Sequence, residues 1–534
     1  MINNQSKTII YLPIALSIVL ALGIYLGSGL QVGYLNQGVV STSANDSKKI
    51  TNLLNYIEEQ YVDSVNLEGL TESAIIQLLN QLDPHSAYIP ASELEATNES
   101  LNGNFDGIGV EFNVLNDTIV VVAPISGGPS DKLGIHSGDR IVTIEDSLVA
   151  GNGIQSKDVI KLLRGERGTA VSIEVFRKGE KGLIRFDIIR DKIPIYSVDA
   201  GYMINDKVGY IKISRFAATT FDEFAETLST LKKEGLQKLI LDLRGNPGGY
   251  LTAAINICDE FLPNGQLIVY TEGRARTKNS SYATSQGNFE KGEIVVLIDE
   301  GSASASEIVA GAVQDNDRGI VIGRRSFGKG LVQEQADLPD GSAVRLTIAR
   351  YYTPTGRCIQ RPYGDVDDYY ADLYNRYENG ELYEKDSIEV NEAERFVTPK
   401  GKVVYGGGGI MPDVFVSLDT TRYSAFHRRL VNAGVVREFA LELAAKYQSA
   451  IAAYGSIEVY RAKFKPSEDD WRNLLALAKA KGVNGSTSVS AETKAAVLNN
   501  LKALVARSQW NGQGYYPIIN ERDNVVEAAL KQLN

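Results

Sequence analysis

Residues 301–307 read GSASASE and residues 327–330 read FGKG. The first run places Ser302, Ser304 and Ser306 in a turn of small residues, and the second holds Lys329 between glycines. Together they offer a serine nucleophile served by a lysine base. A shortage sharpens this reading, because the whole chain contains three histidines, His85, His136 and His427, and none is in this stretch. A Ser-His-Asp mechanism would have to take its base from one of them. His85 follows Asp83-Pro84, a helix stop; His136 precedes a Ser-Gly-Asp turn; His427, beside Arg428 and Arg429, reads as a solvated helix residue.

A lysine is a base only when neutral. Its ordinary pKa of about 10.4 must fall to ~7–8, at ~3–4 kcal/mol. Burial lowers it, and Lys329 is followed by the apolar Leu331 and Val332 with no carboxylate among its near sequence neighbours. Gln333 shares a face with Lys329 on a strand or on a helix, and its neutral amide can orient the amine without recharging it. A competing reading is that Ser304-x-x-Glu307 is only a capping box opening a helix.

The elements that must position these groups follow from the pattern. Residues 238–244, KLILDLR, form a near-continuous apolar strand of the kind buried on both faces, which runs into RGNPGG at 244–249 and a helix over 251–261. The same order recurs with a strand at 293–298, a turn at 299–303 and a helix from Ser304. Two strand ends meet two helix starts, where unpaired N–H groups can hold an anion; this is the layout of an oxyanion hole shared between segments. Upstream, 50–82 has the spacing of a short helical pair, and 103–190 changes to short strands with glycine turns. Residues 362–396 form a tyrosine-rich acidic insertion, read as either a surface excursion or a partner site. Beyond 419 the chain is mostly helical.

Composition bounds the partners. A formal charge of -11 with no basic cluster excludes a nucleic-acid binder. The two cysteines, Cys258 and Cys358, lack a metal or redox spacing and read as buried thiols. Residues 9–30 carry no charge, are rich in Ile and Leu and follow Lys7, so an uncleaved single-pass membrane helix is expected there.

Several motifs in order, LDPHSAYI (82–89), RGNPGG, GSASASE, FGKGLVQ, YYTPTGRCIQ (351–360) and GGGGIMPDV (406–414), resemble the carboxy-terminal processing, or tail-specific, protease family over residues 48–416. Within that span, 103–190 resembles a PDZ domain, with Gly107-Ile108-Gly109-Val110 as its carboxylate-binding loop. Such a loop captures a chain end while a free strand edge adds the peptide as another strand. The resemblance implies Ser304 as nucleophile, Lys329 as base and Gln333 as its partner; Ala305 and Gly248 are expected to supply the oxyanion-hole N–H groups. Asp315, where the family pattern puts an aspartate, would lie ~16 Å along a helix from Ser304 and so supports the fold.

The expected architecture is a multidomain α/β protein. An anchor and linker occupy 1–46, a helical segment 47–102, a PDZ-like domain 103–190, a crotonase-like core of strand-strand-helix units 191–418, and an α-rich region 419–534. The expected function is a serine endopeptidase acting on proteins with accessible C-termini, needing no metal or other cofactor, held by its N-terminal helix in the inner (cytoplasmic) membrane with the catalytic part on the periplasmic side. The alternative is a non-catalytic PDZ-type peptide-binding scaffold, which would have no physical reason to carry Ser304, Lys329 and Gln333 together. The α-rich tail can cap the core, form a homo-oligomer interface or do neither.

Overall fold

The computed structural model describes residues 46–364, 366–420, 424–483 and 489–534. The chain divides into two compact units, 1–78 and 79–534. The described part of the first holds the helix Asp46–Gln60 and most of the helix Leu67–Asn80, the helical pair that the apolar spacing predicts.

The larger unit is built around a six-stranded sheet in the order Val198–Met203, Val208–Ile213, Lys238–Asp242, Glu293–Ile298, Ile320–Gly323, Val414–Phe415. The first pair is antiparallel and the rest are parallel. Its central strands are almost wholly buried and mostly apolar because both faces are covered. On one face lie the helices Thr220–Lys233, Leu251–Asp259 and Ala305–Asp315, whose Phe224, Leu228, Ile257, Val309 and Val313 join one core. On the other, Tyr210, Ile240, Val295, Leu297 and Ile322 meet Val525, Val526, Ala529 and Leu533 of the last helix, Asn524–Leu533. Part of the α-rich tail therefore does cap the sheet. Each large apolar side chain so buried contributes roughly 1.5–3 kcal/mol.

A second sheet joins Ala87–Ile89, Ala343–Tyr352, Leu267–Gly273 and Arg276–Tyr282, with Leu331–Asp337 also on Ala343–Tyr352. Residues 103–190 form a separate antiparallel sheet with Val110–Leu115 and Leu183–Ile189 as its edge strands, packed with the helix Ser156–Leu163 around its own core. The remaining C-terminal helices have a further core of their own, and they reach this sheet where Arg507 pairs with Glu111 at 3.0 Å and Asn116 bonds Glu438 at 3.3 Å.

Two sequence expectations change. His427 is not solvated but buried, because its helix, Ala425–Asn432, turns that face inward. The insertion, which the sequence left open between a surface excursion and a partner site, holds a helix, Val366–Glu378. The single-pass inner-membrane placement is corrected: no helix among the described residues is long and apolar enough to cross a membrane, and residues 9–30, on which that expectation rested, lie outside the described residues. Both cysteines are free thiols, Cys258 buried and Cys358 partly so.

Candidate active site

The strand Glu293–Ile298 ends in a turn that Asp299 and Ser302 close, the Ser302 N–H donating to the Asp299 carbonyl at 2.9 Å. The chain then passes through Ser304 at φ 54° and ψ -111° before entering the helix Ala305–Asp315. A non-glycine residue in that region is strained, and such strain at a strand-to-helix turn is typical of an exposed nucleophile. The three serines of the turn are not equivalent. The Ser302 hydroxyl donates to the Leu243 carbonyl at 2.9 Å and the Ser306 hydroxyl to that of Asn246, also at 2.9 Å; both sew the turn to the strand end that leads into RGNPGG. The Ser304 side chain makes no such bond. Its oxygen faces the Glu307 N–H in a capping box, an N–H that also reaches the Ser304 carbonyl at 2.8 Å, and its hydroxyl proton is given to no protein group.

Glu307 organises both halves of the site. Its carboxylate accepts from the Ser304 N–H at 2.7 Å, the Ser326 hydroxyl at 2.5 Å, the Gly328 N–H at 2.7 Å and the Lys329 N–H at 2.9 Å. Burial pushes its pKa up to about 7 against the pull of these donors. Sequence reading saw only the capping half of this role. A second tie is Tyr351, fully buried, whose hydroxyl lies 2.7 Å from the Lys329 carbonyl and 3.1 Å from that of Ser304. The Phe327 N–H adds a third, donating to the Ser302 carbonyl at 2.9 Å. The lysine turn is thereby docked on the serine turn.

Lys329 Nζ donates to Gln333 Oε1 at 3.0 Å, and Gln333 Nε2 donates to the His85 carbonyl at 2.5 Å. His85 thus enters through its backbone, which residue-type patterns do not reveal. Its ring meets the Tyr369 hydroxyl at 2.6 Å; burial and then the Lys329 charge lower its pKa to about 4. Burial first, and then the Arg345 guanidinium, hold the Lys329 amine below the usual lysine range, while Asp83 and Glu307 oppose them.

Ser304, Ala305, Gly248, Lys329 and Gln333 line one cleft of about 730 Å³. Gly248, at φ 96°, passes so close to the serine turn that a Cβ there would lie 2.8 Å from Ser304 Cβ and 3.0 Å from Ala305 N. Its own N–H donates to Asn246 Oδ1 at 2.9 Å, so of the two expected oxyanion donors only the Ala305 N–H is uncommitted. Asp315 points elsewhere, into a fully buried pair with Arg357 at 2.6 Å. His136 is exposed at its turn. Far along the chain, the Ile108 and Gly109 carbonyls accept from Ser130 and Ile125 at 3.1 and 2.9 Å. Val110 then begins one edge strand. No cluster of metal-ligating side chains occurs among the described residues.

The matches with known proteins agree with this arrangement. Residues 207–369 match the model of peptidase family S41, residues 107–188 that of the PDZ domain, and residues 426–511 that of a family of unknown function. The carboxy-terminal-processing protease of Bartonella bacilliformis is 35% identical over 347 residues, covering 63% of this chain and 78% of its own. From Bacillus subtilis, carboxy-terminal processing protease CtpB is 35% identical over 59% of this chain and 65% of its own, and CtpA 33% over 64% and 76%. A pure binding scaffold is thereby set aside. The chain belongs to the carboxy-terminal processing protease family of S41 peptidases and is a serine-type peptidase with a PDZ domain.

Proposed function

We propose that this peptidase is an endopeptidase working through a Ser304–Lys329 dyad on proteins that present a free C-terminus. Ser304 Oγ attacks the scissile carbonyl carbon while the neutral Lys329 amine takes its proton. The resulting ammonium returns that proton to the leaving amine, and water, deprotonated by the same amine, hydrolyses the acyl-enzyme. Gln333, fixed by the His85 carbonyl, aims the amine. The Ala305 N–H at the helix start receives the oxyanion, and Gly248, lacking a side chain, lets its backbone pack directly against that turn. The loop Gly107-Ile108-Gly109-Val110 of the 103–190 domain binds the substrate's terminal carboxylate, and the 191–418 core cuts.

The observation that carries this reading is a Ser304 hydroxyl that donates to no protein group, on a strained turn, in the same cleft as a half-buried lysine that no carboxylate pairs. The test is hydrolysis of a disordered protein by the purified wild type, Ser304→Ala and Lys329→Ala. Each variant is expected to lose at least about a thousand-fold in kcat/KM while still binding the tail. Turnover by Ser304→Ala equal to wild type removes the assignment.

A further inference from the structure

Several arginines sunk in this protein are matched by carboxylates: Arg357 by Asp315 at 2.6 Å, Arg325 by Glu381 at 2.6 Å, Arg324 by Glu300 at 2.8 Å and Arg244 by Asp242 at 2.6 Å. Two arginines that line the cleft of Ser304 are not. Arg215 and Arg345 both border it, and among the described residues neither pairs with an acid.

Arg215 Nη1 has only the Ser100 hydroxyl, at 3.4 Å, and its Nε is buried with no hydrogen-bond partner. Arg345 Nη2 is held by two neutral amides, Gln335 Oε1 at 3.1 Å and Asn98 Oδ1 at 3.4 Å. The two guanidinium groups therefore converge on the last turn of one helix, Ala91–Asn102, whose carbonyl end offers only a partial negative charge. The carboxylate bordering the same cleft, Glu334, is spent on Arg276 at 2.5 Å. A half-buried cation without a counter-ion is costly, and a carboxylate that pairs with it in good geometry offsets that cost. The rest of the wall includes Leu251, Ile308, Leu331 and Ile348, so charge of this sign stands beside an apolar channel.

We propose that Arg215 and Arg345 form a carboxylate-binding subsite of the active cleft, which selects substrates carrying an anionic group near the scissile bond. That group is either an Asp or Glu side chain or, in a peptide whose end the 107–110 loop does not hold, the peptide's own C-terminus; both fit the planar fork of a guanidinium. The proposal rests on the reading of the Ser304 cleft as the catalytic one.

The experiment measures kcat/KM of the full chain on quenched-fluorescence peptides that differ in one feature: a Glu or a Gln near the cut, and a free or an amidated C-terminus. Wild type is expected to favour the Glu peptide, the free terminus, or both, by about ten-fold or more, as for a hydrogen bond between charged groups. In Arg215→Gln and Arg345→Gln that preference falls toward one with the melting temperature kept, and Arg215→Glu turns it toward a Lys peptide. Because each result is a ratio within one enzyme, a general change in the base cancels. The arm whose preference the arginine variants abolish names the source of the carboxylate. Ser304-dependent turnover with no charge preference, or a preference that both arginine variants retain, overturns the subsite alone. Turnover that persists in Ser304→Ala overturns the cleft reading and the subsite with it.

Discussion

At the scale of single residues the proposed chemistry turns on one amine whose charged form is disfavoured. Lys329 gains a neutral partner in Gln333 and not a carboxylate, so burial is left to depress its pKa with Arg345 assisting. The sign of the pH dependence follows. If Lys329 is the base, it works when deprotonated, so kcat/KM is expected to rise with pH through a limb set by this amine, with a midpoint below the ~10.4 of an ordinary lysine. Removing a neighbouring cation makes the ammonium less costly, so Arg345→Gln shifts that limb to higher pH. Gln333→Glu, which adds a counter-ion, shifts it further the same way. Profiles of kcat/KM against pH for the three enzymes check this; a limb that neither change moves separates the rising activity from Lys329. The amide and its place were legible in FGKGLVQ. The His85 carbonyl that aims the amide was not, since a backbone group from a turn far away in sequence leaves no mark on residue type.

At the scale of elements, the tyrosine-rich insertion proves to be a brace for the lysine turn. The inner face of the helix Val366–Glu378 supplies Tyr369, Asp372 and Arg376. Arg361 lies between the Phe327 and Tyr369 rings, 4.0 and 3.9 Å from their centres, and pairs with Asp372. Arg376 donates to the Ser326 and Arg325 carbonyls at 3.2 and 2.6 Å and meets Glu381 at 2.8 Å, while Glu381 also holds Arg325. Breaking a buried pair by removing one partner strands the other charge, so Arg376→Ala is expected to cost about 3–5 kcal/mol. Denaturant unfolding measures the loss, and activity should fall as the 325–329 backbone loosens; a variant as stable as wild type would show the brace to be idle. Composition alone left this stretch undecided, because an acidic, aromatic segment reads the same whether its charges face water or arginines.

At the scale of the whole molecule, the proposed reading puts recognition and cutting on separate sheets. The 103–190 sheet keeps the strand Val110–Leu115 at its edge, and the C-terminal helices touch that sheet through Arg507–Glu111 and Asn116–Glu438. The last helix returns to the core, where its cap Asp523 pairs with Arg244 at 2.8 Å, at the head of RGNPGG. If the glycine loop captures chain ends, the two tasks separate under mutation. Gly109, at φ 76° with Ile193 Cδ1 3.0 Å from the place of a Cβ, tolerates a side chain only with strain. Gly109→Val is expected to raise KM for a tailed protein about ten-fold or more while hydrolysis of a short internal peptide stays within about two-fold. Titrating both substrates with both enzymes checks it, and equal losses on the two would place the loop in the fold and not in recognition.

Periodicity and punctuation by themselves determined the helices, the doubly buried strands and the order of the motifs, because each depends on a few neighbouring residues. They also put the serine and lysine in turns at element ends, where glycines and small residues permit it. Tertiary structure alone decided which of Ser302, Ser304 and Ser306 keeps a hydroxyl that donates to no carbonyl, since the other two are spent on the carbonyls of Leu243 and Asn246 some sixty residues upstream. It likewise decided that the Gly248 N–H is taken by Asn246, that Glu307 and Tyr351 lock two distant turns together, and that His427 and the final helix lie inward. Hydrogen-bond satisfaction and burial are settled between segments far apart in the chain, and a local pattern carries no record of which partner arrives.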